Sequence, residues 1–115
     1  MQLPNLTGAV VAPEKVHDYL LTEEPEKGRG KPGFFVRFGF VREQWEVLAD
    51  ALREHAERHD ATEQPDPWGT KYLITGEIES PDGRNLRILE VWLVDTGKDV
   101  PRFISARPVS ERRPQ

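Results

Sequence analysis

GTKYLITGEIESPDGRNLRILEVWLVDTGKDVPRFISARP, residues 69–108, reads as three antiparallel strands joined by two short turns. Residues 70–79 and 86–95 are rich in β-branched, aromatic and aliphatic side chains and flank Ser80-Pro81-Asp82-Gly83. Pro81 presets one turn dihedral, and Gly83 accepts the positive φ that such a hairpin requires. A second turn, Thr96-Gly97-Lys98-Asp99, leads through Val100-Pro101 into a last strand over residues 102–107. In the middle strand Ile88, Trp92 and Val94 fall on one face, and Leu89, Val91 and Leu93 on the other. A strand apolar on both faces belongs at the centre of a sheet, with cover supplied by the rest of the chain. The strand before it alternates less strictly. Tyr72, Ile74 and Ile78 share a face, and Lys71, Leu73, Thr75 and Glu77 share the other, so this strand is half exposed.

Working outward, residues 42–59 carry the clearest helical period. Trp45, Leu48, Ala49, Leu52 and Ala56 recur at three- and four-residue steps among charged positions, so this helix covers one face of the sheet. Residues 60–68 (DATEQPDPW) read as a Pro- and Asp-containing linker. Upstream, Pro32 opens a short helix with Phe34, Phe35 and Phe38; Gly39 ends it in the left-handed conformation, and Phe40 folds back. Residues 13–22 form another helix, with Val16, Tyr19 and Leu20 as its apolar stripe. Leu3-Pro4-Asn5 and Ala9-Val10-Val11 read as an edge strand or an arm over the core. The expectation is an α+β fold: N-terminal helices packed on an antiparallel β-meander of three to four strands. Residues 1–109 make one domain, and 110–115 a flexible polar tail.

The chain has 115 residues, no cysteine and a formal net charge of −4. Disulfides and thiolate metal sites are excluded. The acidic balance argues against broad electrostatic nucleic-acid binding, but the charges are segregated. Acidic residues dominate 43–66, whereas Lys27, Arg29, Lys31 and Arg37 cluster early and Arg102, Arg107, Arg112 and Arg113 late. No apolar run approaches membrane-spanning length, and the N-terminus lacks a secretory pattern, so a cytoplasmic protein with no membrane partner is expected.

No nucleotide-binding loop, dinucleotide fingerprint or serine-nucleophile elbow is present. His55 and His59 stand one helical turn apart, a spacing able to grip a metal. On a helix crowded with Glu and Arg they read instead as solvated surface, and neither a metal nor a cofactor is expected. In residues 23–31 (EEPEKGRGK), Arg29 and Lys31 can hold a phosphate, or the segment is a solvated loop. In the last strand, strict alternation places Arg102, Ile104 and Ala106 on one face and Phe103, Ser105 and Arg107 on the other. Ser105 beside Arg107 can bind a phosphodiester, or the charges protect an edge strand from aggregation.

Several motifs recur together: Leu3-Pro4-Asn5; Val11-Ala12-Pro13-Glu14-Lys15 with Tyr19-Leu20-Leu21; Gly28-Arg29 and Lys31; Phe34-Phe35 with Gly39-Phe40; Gly69-Thr70-Lys71-Tyr72; Pro81-Asp82-Gly83-Arg84; Val91-Trp92; Pro101-Arg102. This collinear set resembles a bacterial domain family of unknown function, found alone or at the C-termini of polymorphic toxins. Its helix-then-meander layout is similar to the barnase/EndoU/colicin/RelE-like ribonucleases. The chain departs from the family pattern at Gly30 and near Pro25, where histidines are usual, and at Ser105-Ala106-Arg107-Pro108, usually Thr-Ala-Tyr-Pro.

The resemblance implies a toxin-like, metal-independent endoribonuclease or a divergent RNA-binding relative. Lys31, His17, Ser105 and Arg102 would be catalytic, and Arg29, Arg107, Arg84 and Lys71 would bind substrate. His17 would be the base, or else a partly buried structural histidine. The alternative is a non-enzymatic interaction module of a toxin–antitoxin-like pair, with a cognate antitoxin or immunity protein as partner.

Overall fold

The computed structural model describes residues 1–16, 21 and 35–109. Four strands, β1 (Ala61–Asp66), β2 (Gly69–Glu79), β3 (Asn85–Asp95) and β4 (Arg102–Pro108), form one antiparallel sheet in the order β1-β2-β3-β4. Among the described residues one α-helix, α1 (Trp45–Arg58), packs against it. The fold is α+β and meander-like, and among the described residues its one long helix, α1, lies midway along the chain rather than at the N-terminus. Among the described residues the other helical pieces are short turns, at Leu6–Gly8, at 13–16, at Val36–Phe38 and at Arg42–Gln44. The rest of the helix expected over 13–22, with Tyr19 and Leu20, lies outside the described residues apart from Leu21. Residues 110–115 lie outside them too.

The two faces of the sheet follow from period-two alternation. The inner face carries Tyr72, Ile74 and Ile78 from β2 and Leu86, Ile88 and Trp92 from β3, all buried. Leu48, Ala49, Leu52 and Ala56 of α1 complete the core. Burying a side chain such as Leu48 or Leu52 stabilises by roughly 1.5–3 kcal/mol. Gly39 takes φ 100, as a left-handed helix stop should, and Phe40 turns back so that its ring meets Phe35 edge-on at 6.1 Å.

Residues 61–66 are a strand, not the expected linker. They pair with β2 from Ala61↔Ile74 to Asp66↔Gly69, leaving Pro67-Trp68 as a two-residue hairpin turn. The polar composition misleads because β1 is an edge strand, mostly exposed. Pro65 is tolerated there because an edge residue need not donate to the ladder.

The expected alternation in β4 is also corrected. Trp92 faces Phe103 and Val91 faces Ser105, so Ile104 is a bulge with no partner of its own. That extra residue resets the phase. Phe103 and Ala106 both point into the core, Phe103 edge-on to Trp92 at 5.6 Å. Arg102, Ser105 and Arg107 pair with Leu93, Val91 and Leu89, and therefore share the outer face.

The N-terminal arm ties the two sheet edges together. The Ala61 N–H donates to the Met1 carbonyl at one end. At the other, Val10 bridges β4, donating to Pro101 (3.1 Å) and accepting from Phe103 (2.9 Å). Arg53 of α1 donates to the carbonyls of Leu6 and Ala9, which fixes the arm beneath the helix.

Candidate functional site

The outer face of β2–β4 gathers half of the eight residues singled out from sequence. Lys71, Leu93 and Arg102 stand in one cross-strand row. Ser105 and Arg107 follow along β4, opposite Val91 and Leu89. Arg87 joins them: it lies two residues before Leu89 on the same face, is exposed, and accepts a backbone hydrogen bond from Val109. The alternation of β3 carries that signal, since Arg87, Leu89, Val91 and Leu93 recur at two-residue steps.

Electrostatics divides this face. Asp95 accepts from Nε and Nη2 of Arg102 at 2.8 and 3.1 Å. That contact holds the Asp95 carboxyl below its usual range and pushes the Arg102 guanidinium higher still. Lys71 sits 3.4 Å from Asp66. Arg102 keeps unused donors after Asp95 is served, because a guanidinium carries five N–H groups. Arg107 is exposed, with no ion pair recorded among the described residues.

Arg84 goes elsewhere. It lies in the β2–β3 turn, donating to Asp82 at 2.8 and 2.6 Å and stacking 4.1 Å from the Phe38 ring centroid. Those bonds, with the Ser80 hydroxyl, lower the Asp82 carboxyl to about 2. His17, Arg29 and Lys31 lie outside the described residues. The positions flanking the 22–34 segment, Leu21 and Phe35, are both buried in the core cluster.

A second constellation lies under α1 and overturns the solvated reading of its histidines. His55 is 2% exposed, and its Nδ1 stands 3.0 Å from Oε1 of Glu90 on β3. Burial pushes the Glu90 carboxyl up, and the hydrogen bond and charge of His55 pull it back only in part. The Trp92 indole N–H is close enough to favour ionised Glu90, but it falls outside hydrogen-bond geometry. His55 Nε2, Glu90 Oε2 and Trp92 Nε1 are all buried without a hydrogen-bond partner. The His59 ring lies 4.6 Å from that of His55 and is packed on Gly76, where an added Cβ would come within 2.4 Å of His59 Cδ2. Neither histidine reaches the outer face. Among the described residues no group of three or more His, Asp or Glu is placed to hold a metal.

The solvent side of α1 is acidic. Glu43, Glu46, Asp50, Glu54 and Glu57 recur at three- and four-residue steps and are all exposed. With Leu6, Thr7 and Arg53, the last three line a groove of about 380 Å³. No helix among the described residues is long and apolar enough to cross a membrane.

One family model, a domain of unknown function (DUF6883), matches residues 2–110. No curated protein and no solved structure matches the chain.

Proposed function

The chain belongs to the DUF6883 family, a domain of unknown function, and on that premise we propose that it binds RNA across the outer face of β3 and β4. The observation that carries this reading is the Ile104 bulge, which aligns Arg102, Ser105 and Arg107 on one surface with Arg87 beside them. Guanidinium groups grip phosphate oxygens through paired N–H donors, and a serine hydroxyl adds a short-range donor. The opposite, acidic side of α1 repels the same polyanion, so the nucleic acid meets the molecule in one orientation.

In its catalytic form the reading is a toxin-like, metal-independent endoribonuclease. The substrate's 2′-hydroxyl gives its proton to a base and attacks the adjacent phosphorus. The P–O5′ bond breaks as a 2′,3′-cyclic phosphate forms, and the departing 5′-oxygen takes up a proton from solvent. Arg102 and Arg107 stabilise the phosphorane charge, with Lys31 and Arg29 supplying further cations. His17 would act as the base in this reading; His55 and His59 pack against each other beneath α1 instead.

Purified protein incubated with single-stranded RNA in EDTA tests both forms. Salt-dependent binding is expected, weakened by Arg107→Ala with a slope against log salt smaller by about 1. Cleavage lost in Lys31→Ala would support the catalytic form. Absence of binding at low salt would overturn the proposal.

The acidic stripe of α1 favours one other reading, a module that docks a basic protein such as a cognate toxin or antitoxin. Under it, charge reversal at Asp50 and Glu54 abolishes complex formation and leaves RNA untouched.

A further inference from the structure

Trp68 is the most exposed large apolar side chain among the described residues, at 73%. An indole left in water at the tip of a two-residue turn has no role in the core. Its backbone, however, is held at both ends. The Trp68 N–H donates to Asp66 Oδ1 (2.8 Å), and the Trp68 carbonyl accepts from Thr96 in the β3–β4 turn (3.0 Å). The ring is thus presented from a fixed platform.

That platform adjoins the outer face, on which Arg102 and Arg107 stand on β4 and Arg87 stands opposite Glu77. The next residue, Gly69, pairs with Asp95, the carboxylate that holds Arg102. Lys71 lies two residues further along β2, and Lys98 is exposed in the neighbouring turn. From Arg102 the row continues through Ser105 to Arg107, a rise of roughly 15 Å at about 3.3 Å per residue with the bulge allowed for. Cations tracking a backbone, with an exposed aromatic ring at one end, is the arrangement by which proteins hold single-stranded nucleic acid.

We propose that Trp68 is a base-stacking residue, and that the ligand of the outer face is therefore single-stranded RNA with an unpaired base laid on the indole. A duplex keeps its bases stacked on one another and offers the ring nothing, whereas an unpaired base presents its π-face. The inference rests on the RNA-binding reading above and narrows its substrate class.

The test uses the full chain with an oligouridylate ten-mer, and the same ten-mer annealed to its complement, at low salt. Wild type should bind the single strand more tightly than the duplex, with quenching of tryptophan emission. Trp68→Ala should weaken single-strand binding roughly 5- to 100-fold and remove the quenching, whereas Trp68→Phe should keep most of the affinity. Because the side chain is exposed, both variants should melt with the wild type. Single-strand binding by Trp68→Ala equal to wild type, or a preference for the duplex, would overturn the stacking role and leave the RNA-binding face standing. Failure of the wild type to bind either RNA would overturn both.

Discussion

His55 Nδ1 and Glu90 Oε1 lie 3.0 Å apart with both side chains wholly out of solvent, linking the last turns of α1 to the middle of β3. Removing one partner leaves the other buried and unsatisfied. His55→Ala or Glu90→Ala should therefore destabilise by roughly 3–5 kcal/mol, whereas a double replacement by apolar residues of similar volume should cost far less or stabilise. Urea denaturation of the two singles and the double decides it; additive losses would show that the pair is not coupled.

The same carboxyl makes stability depend on pH. Burial raises Glu90 above its ordinary 4.5. Between that value and the folded one, the native state keeps a proton that the unfolded chain has released. Stability from this group is thus complete below about pH 4.5 and is lost as pH rises through the folded value. Denaturant midpoints taken at rising pH should fall for wild type, and Glu90→Gln should flatten that part of the profile. An unchanged slope in the variant would show that other groups set it.

His59 and Gly76 are matched in shape. Gly76→Ala would drive a methyl to within 2.4 Å of the His59 ring, and overpacking of this kind costs about 1–3 kcal/mol. In a His59→Ala background the same change should cost much less. Equal costs in the two backgrounds would place the strain elsewhere.

Asp95 restrains the cation most central to the outer face. Asp95→Asn removes the countercharge from Arg102, so RNA affinity at low salt should rise about 2- to 5-fold, a modest gain because the pair is exposed and screened. Competitive titration against wild type measures this, and weaker binding by Asp95→Asn would show that Asp95 orients Arg102 rather than occupying it.

Much of this fold is legible in the sequence, and the failures have identifiable causes. The strands of the meander, Gly83 at positive φ, and the Gly39 stop with Phe40 folded back follow from local rules about alternation and left-handed residues. β1 escaped because an edge strand gains little from apolar side chains, so ATEQPD carries no periodic signature. The Ile104 bulge escaped because one unpaired residue is invisible to an alternation rule applied within a single strand; only the register against β3 reveals it. His55 was misplaced although it stands three residues after Leu52 and seven after Leu48, on the buried stripe of α1. Glu90, between Ile88 and Trp92 on the inner face of β3, is its partner in the same blind spot: polar residues at core positions, explained only by each other. The residues of the last strand fall on other faces than strict alternation gives, and Trp68 sits inside what reads as a linker.

The central claim, that RNA is held on the outer face of β3 and β4, is tested most directly by titrating isotope-labelled protein with a short single-stranded RNA and mapping amide shift changes. The account predicts the largest changes at Arg87, Arg102, Ser105 and Arg107, extending to Trp68, with α1 unaffected. Changes concentrated on Glu46, Asp50, Glu54 and Glu57, or none at any residue, would contradict it.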